Sequence, residues 1–401
     1  MIKAAMPYRR YWLPELVVLL IIALVVTLVF WNSNLDIQVS QHFYHPENPQ
    51  QEWPVQYHAP WYQLYLYGGL ISIIITFLAY LVIAVPAFIK SFHRYQIYGV
   101  FLLLVMLLGP GVLVNGIFKD NWGRPRPRDV VQLGGEYQYV PPGKIADTGQ
   151  KSFPCGHCSV GFTLTALYLV FRRTNMYLAL VGLVIGLVSG GALGYARVSA
   201  GGHFLSDVIW SFLITFSSAW LLYYFLLNIP FREKQRQLDV KHATEWMATR
   251  PILKKTLLTI VGLVILLGGL VSTPLDREYT ETVPVTATDD YVILTSVDMS
   301  DIVLERSSDN LIHIYTRIKG FGFPFNQVDY QFISKDHTLA LNLKRIGTYT
   351  EYRSKLRLQL PESGIDRLSI VLKKGDVYIK KDFPLPTNKI DIKLNSGNVS
   401  K

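Results

Sequence analysis

The sequence predicts an α-helical membrane bundle, with a six-helix core and a seventh span, followed by a C-terminal all-β domain that is either a β-solenoid or a sandwich. Three observations lead there. Half of the 401 residues are apolar, and many lie in unbroken runs long enough to cross a bilayer. After about residue 273 those runs give way to short alternating ones, the period of strands. The net charge of +10 is also uneven: residues 273–401 hold 18 Lys+Arg against 17 Asp+Glu, and residues 1–272 hold 21 against 12. A basic membrane half is explained by topology. No run of five Lys or Arg suggests nucleic acid, and two cysteines, Cys155 and Cys158, make no disulfide framework.

The spans follow from the apolar runs. Leu13–Trp31 is the first; a signal peptide is the alternative, but the run is long and no small-residue cleavage site follows it. Residues 32–61 lack Lys and Arg and read as an exported loop, whose Trp53, Tyr57, Trp61 and Tyr62 suit the membrane interface. Tyr62–Ile89 and Gln96–Phe118 are the second and third spans, with a kink expected at Gly109-Pro110-Gly111. The fourth begins near Gly156 and ends at Phe171. In the fifth, Met176–Ala196, Gly182, Gly186, Gly190 and Gly194 recur every four residues, so they line one face and allow close packing. Phe204–Leu226 is the sixth and Thr256–Ser272 a short seventh. The expected domains are therefore 1–228 (six spans), 229–255 (a cytoplasmic linker), 256–272 (the seventh span) and 273–401 (β).

With the N-terminus inside, 14 of the 21 Lys and Arg before residue 273 fall on the inner side, including Lys3, Lys90, Arg94, Lys241 and Arg250. The C-terminal domain then lies outside. Within it, Leu368-Ser-Ile-Val-Leu-Lys-Lys-Gly375-Asp-Val matches Ile390-Asp-Ile-Lys-Leu-Asn-Ser-Gly397-Asn-Val at a spacing of 22 residues, which suits stacked β-coils. These two Gly turns resemble those of adhesin-type β-repeat domains.

Three polar islands adjoin the spans between Lys119 and Asp207, all on the outer face in this topology. Ionisable groups there need a reason, because burying one in lipid costs roughly 2.5–3.5 kcal/mol. Lys119-Asp-Asn-Trp-Gly-Arg124-Pro-Arg126-Pro127 offers fixed cations, and arginine can hold two phosphate oxygens at once. Its plainer reading is contact with lipid headgroups. Pro154-Cys155-Gly156-His157 opens the fourth span, where free N–H groups favour an anion and Gly156 lets the backbone approach it. His157 is a candidate general acid there, or simply a cap. In the third island, His203 and Asp207 are four apart and share a helix face. A carboxylate fixes the imidazole tautomer, which suits His203 as a nucleophile, with Arg197 clamping the same phosphate.

Together Lys119-x6-Arg126-Pro127, Pro154-Cys-Gly156-His157 and Arg197-x5-His203-x3-Asp207 resemble the three-part signature of the type-2 phosphatidic acid phosphatase superfamily, over roughly residues 95–228. The resemblance implies a six-helix phosphatase core that works through a phosphohistidine, with no metal and no cofactor. His203 would be the nucleophile, Asp207 its orienting partner, and His157 the proton donor to the leaving group. Lys119, Arg126, Arg197 and Gly156 would bind the phosphate. Two positions depart from the family: Cys155 and Ala196 stand where it usually has serine, which puts phosphate contact from Cys155 in doubt.

The expected substrate is a lipid phosphate facing outward, such as lipid A, undecaprenyl pyrophosphate or phosphatidylglycerophosphate. The layout leans toward the lipid A phosphatase branch and a bacterial inner membrane with a periplasmic site. A phosphotransferase acting from a polyprenyl pyrophosphate onto a lipid acceptor is the nearer rival. A thiol–disulfide oxidoreductase through Cys155 and Cys158 lacks the thioredoxin context it needs, though a disulfide there would be expected to distort the phosphate loop. A transporter would spread its charges across the bilayer, and these cluster at one face. The expected partners are the lipid substrate, the bilayer and an envelope component on the β domain.

Overall fold

The computed structural model describes residues 9–47, 52–88, 95–238, 251–271, 273–286 and 290–400. Lys3, Lys90, Arg94, Lys241, Arg250 and Ser272, which entered the topology reading, lie outside the described residues. The chain divides into two compact units, Met1–Leu266 and Leu267–Lys401.

The first unit is helical. Its elements are α1 (Arg9–Asn32), α2 (Leu35–Gln41), α3 (Trp61–Phe88), α4 (Gln96–Asn121), α5 (Gly156–Phe171), α6 (Met176–Val198), α7 (Leu205–Leu226), α8 (Ile229–Leu238) and α9 (Pro251–Val271), which runs on past Leu266. Among the described residues α1, α4, α6 and α7 are long and apolar enough to cross a membrane. The segments Trp61–Gly68 and Leu70–Ala84 of α3, bent by 60°, make a fifth when taken as one span, and α5 and Leu258–Val271 are shorter apolar helices. Among the described residues every apolar run read as a span is helical, apart from Phe204, which caps α7.

Small residues set the packing between α5 and α6. A Cβ at Gly186 would run into the Leu164–Thr165 backbone, at Gly190 into the Phe162 ring, and at Gly194 into Val208 of α7. The helices therefore approach at backbone distance. The turn between them is closed by Asn175, whose side chain accepts from the Leu178 N–H (3.1 Å).

The Gly109-Pro110-Gly111 stretch differs from expectation. Proline removes one ladder donor, and the helix answers by widening into a π-helix over Leu107–Phe118. The Pro110 carbonyl instead accepts from the Asn115 side chain (2.7 Å). Both Asn115 and Lys119 then lie beside Gly156 at the start of α5.

The second unit holds β1 (Thr273–Pro284), β2 (Tyr291–Met299), β3 (Asp301–Arg306), β4 (Leu311–Gly322), β5 (Gln327–Lys335), β6 (Thr338–Ile346), β7 (Tyr349–Leu360), β8 (Ile365–Lys374), β9 (Val377–Ile379), β10 (Ile390–Leu394) and β11 (Val399–Ser400). One sheet has the order β1-β4-β7-β3-β9-β11 and the other β10-β8-β2-β6-β5. β8 (Ile365–Lys374) and β10 (Ile390–Leu394) pair in parallel with Leu368 opposite Ile390, and β9 (Val377–Ile379) meets β11 with Val377 opposite Val399. The repeat seen in sequence therefore stacks copy on copy. β2 (Tyr291–Met299) and β3 (Asp301–Arg306) make a further layer on β8 and β9. Apolar residues such as Ile293, Leu304, Ile370 and Val377 fill the space between the sheets.

Candidate active site

The three islands meet at the junction of α4, α5, α6 and α7. The first island leaves α4 as a non-helical segment, and the Arg128 N–H donates to the Gly201 carbonyl in the third (3.2 Å). Cys155 N–H donates to the Asp207 carbonyl (3.3 Å), and the Ser211 hydroxyl reaches the carbonyls of both Cys155 (2.7 Å) and Asp207 (2.9 Å). Backbone bonds thus tie the second island to the third before any ligand is considered.

His203 and Asp207 are fully buried, with His203 Nδ1 3.6 Å from Asp207 Oδ2. Among the described residues neither ring nitrogen of His203 has a hydrogen-bond partner. Burial lowers the His203 pKa to about 3; Arg197 and Lys119 push the same way, and Asp207 opposes them. The ring is therefore neutral near pH 7, the state a nucleophile needs.

Around it stand the other expected residues. Arg197, Lys119, His203 and Arg126 all act electrostatically on the partly buried His157 ring. Arg197 is buried, stacks over Tyr65 at 4.5 Å, and its guanidinium crowds Gly202. Lys119 Nζ lies so near Gly156 that a Cβ there would sit 3.2 Å from it. The structure thus gathers His203, Asp207, His157, Lys119, Arg126, Arg197 and Gly156 in one place.

Cys155 requires a correction. Its sulfur is bonded to that of Cys158, with Cα atoms 5.4 Å apart, so it carries no S–H to offer a phosphate. It instead accepts from the Cys158 N–H (3.3 Å) as the cap of α5, and the turn around it is intact. Trp53 departs as well. It is buried against Gly201 and Tyr44, away from any interfacial role, and Gly201 at φ +62 leaves room for its ring.

Sequence reasoning missed a set of residues behind Asp207. Arg124, which the sequence leaves between a phosphate-holding cation and a headgroup contact, is fully buried. Its Nη1 donates to Asp207 Oδ1 and to Ser206 Oγ (2.9 Å), its Nη2 to Asp36 Oδ2 (2.8 Å), and its Nε to the Val140 carbonyl (2.7 Å). The side chain stacks over Phe204 at 4.6 Å. Burial alone would lower the Arg124 pKa, yet Asp207 and Asp36 together hold it above its ordinary value. Ser152 Oγ completes the setting by donating to Asp207 Oδ2 (2.7 Å). For Arg124 the available signal was two prolines bracing a second arginine, which a headgroup contact does not require. For Asp36, in a short helix far away in sequence, there was none.

Two histidines, an aspartate and three cations gathered at the end of a bundle of apolar helices are the groups a membrane phosphatase needs. The model of the PAP2 superfamily matches residues 98–230. The lipid A 4'-phosphatase of Francisella tularensis subsp. novicida (strain U112) is 34% identical over 214 residues, which cover 51% of this chain and 94% of that protein. The chain belongs to the PAP2 superfamily, and it is a phosphatase. Among solved structures, the first transmembrane PAP2-type phosphatidylglycerolphosphate phosphatase from Bacillus subtilis is 20% identical, covering 58% of this chain and 98% of that one at a TM-score of 0.29. A candidate cell adhesion protein from Clostridium sporogenes is 14% identical, covering 31% of this chain and 59% of that one at a TM-score of 0.21. Neither superposition is close enough to carry an argument.

Proposed function

We propose that this chain removes a phosphate from an outward-facing membrane lipid, with the 4′-phosphate of lipid A as its substrate, through a phosphohistidine on His203. The observation that carries the reading is the buried His203 ring, with Nδ1 3.6 Å from Asp207 Oδ2, Nε2 without a hydrogen-bond partner among the described residues, and the Lys119 and Arg197 charges acting on it. The likeness to the Francisella enzyme over nearly its whole length supports the choice of lipid.

Asp207 faces Nδ1 and favours the tautomer with its proton there, which leaves the Nε2 lone pair to attack phosphorus. The P–O bond to the lipid breaks as the N–P bond forms, and His157 protonates the departing oxygen. Lys119, Arg126 and Arg197, with the Gly156 N–H, hold the equatorial oxygens and the charge that builds on them. Water then attacks the phosphohistidine, His157 takes its proton, and inorganic phosphate leaves with His203 restored. In this reading residues 1–228 are the catalytic domain in a bacterial inner membrane. The site and residues 273–401 face the periplasm, and 229–255 link to the seventh span on the cytoplasmic side.

The test is phosphate release by the purified protein in detergent from lipid A 1-phosphate and 4′-phosphate forms, undecaprenyl pyrophosphate and phosphatidylglycerophosphate. Release from the 4′ form is expected, with an acid-labile phosphoprotein trapped on rapid quench. His203→Ala should lower the rate by about 1,000-fold or more. Release only when a lipid acceptor is added would replace hydrolysis by transfer, and release from another lipid would replace the substrate.

A further inference from the structure

The mechanism uses Asp207 but leaves unexplained what sits behind it. Asp207 turns Oδ2 toward His203, and that oxygen also accepts from Ser152 Oγ and from the Phe204 N–H (2.9 Å). Its other oxygen, Oδ1, meets the Arg124 guanidinium. Arg124 in turn is held by Asp36, whose Oδ1 accepts from the Ser206 N–H (3.0 Å) and whose Oδ2 accepts from Ser206 Oγ (2.5 Å) and from Tyr139 Oη (3.0 Å). Arg124, Asp36, Ser206 and Asp207 are all fully buried.

We infer that Asp36 and Arg124 are positioning residues for the nucleophile: Asp36, delivered by α2, holds the Arg124 fork against Oδ1 and so fixes the carboxylate that orients His203. The proposal rests on reading His203 as the nucleophile. Two features argue for it over a tie that merely holds the fold. The first is charge. One cation is shared between two carboxylates, so the trio keeps one net negative charge beside His203, on a site otherwise lined by Lys119, Arg126 and Arg197. That charge supports the positive ring that forms as Nε2 bonds to phosphorus. The second is geometry. Asp36 bridges two separate segments, reaching Arg124 in the loop after α4 and Ser206, the residue before Asp207, at the start of α7. A shift of Asp36 therefore moves Asp207 without touching any group that binds phosphate. Arginine is required because three of its nitrogens are used in fixed directions, which a lysine ammonium cannot reproduce.

The experiment compares Asp36→Asn, the double variant Asp36→Asn with Arg124→Gln, and His203→Ala, each purified in detergent with its thermal transition measured. The amide in Asp36→Asn keeps the size of the side chain, and the double variant removes both charges of this pair while Asp207 keeps its bonds from Ser152 and the Phe204 N–H. In both, kcat should fall about ten- to hundred-fold. KM for the lipid and the inhibition constant of inorganic phosphate should stay at their wild-type values, since the phosphate-binding groups are untouched. A folded variant with wild-type kcat, or one in which kcat and phosphate inhibition decline together, would overturn the inference. So would failure of both variants to yield folded protein, which would mark the pair as a structural tie. Activity retained in His203→Ala would instead remove the phosphohistidine reading on which the inference stands.

Discussion

At the residue scale, the site depends on side chains that are absent as much as on those present. Gly68, where α3 bends, faces His157: a Cβ there would collide with ring atom Cδ2 of the histidine. Gly68→Val is therefore expected to displace His157 and lower kcat by about a hundred-fold. Gly191→Ala, which meets nothing within 4 Å, should leave the rate unchanged. Steady-state assays of the two side by side decide it. The sequence announced Arg197, His203 and Asp207 because they crowd the short turn that joins α6 to α7. It could not announce Gly68, whose reason lies on another helix 89 positions away at His157, nor Asp36, which looks like any acidic loop residue until Arg124 is seen beside it. A local spacing rule reads neighbours along one element, and these pairings exist only after the helices assemble.

At the element scale, α5 is the piece whose chemistry the sequence left open. Cys155-Gly156-His157-Cys158 admits both a phosphate turn and a dithiol. The structure accommodates both at once, because residues three apart on a helix face each other and the bond follows the turn. So short a loop limits its entropic contribution to roughly 2 kcal/mol. Both sulfurs are wholly buried, which keeps protein thiols away. Cys155→Ser combined with Cys158→Ala should therefore keep phosphatase activity within a few-fold of wild type, with serine capping the helix through its oxygen. A fall beyond tenfold, measured on protein of unchanged melting temperature, would make the bond indispensable to the phosphate turn. The widening of α4 belongs to this scale too. Proline foretold a break in the ladder, and there the helix widens while the Asn115 side chain donates to the Pro110 carbonyl.

At the scale of the whole molecule, the two units read differently. Helices were legible from apolar runs nearly to their ends. In the second unit the repeat seen in sequence falls inside β8 and β10, while β1, β3, β5, β9 and β11 are hard to read from sequence. Those strands are half-exposed, short or charged, so their apolar pattern is faint, and β1 gains its place by pairing along its length with β4 (Leu311–Gly322). The Francisella relative matches 214 residues and leaves about half of this chain unaligned, so the phosphatase unit is expected to work without the second. A chain ended after residue 272 should release lipid phosphate at a rate close to the full protein. Loss of turnover in a folded, membrane-inserted truncation would give the second unit a share in catalysis. The register of that unit has its own outcome. Leu368 under Ile390 and Val377 under Val399 mean that a 22-residue block can be copied in or cut out while every remaining side chain keeps its face. A one-residue change would turn a whole strand inside out. The length of this stack is thus quantised, each added block extending it by about 4.8 Å, and descendants of this gene should differ there by whole blocks.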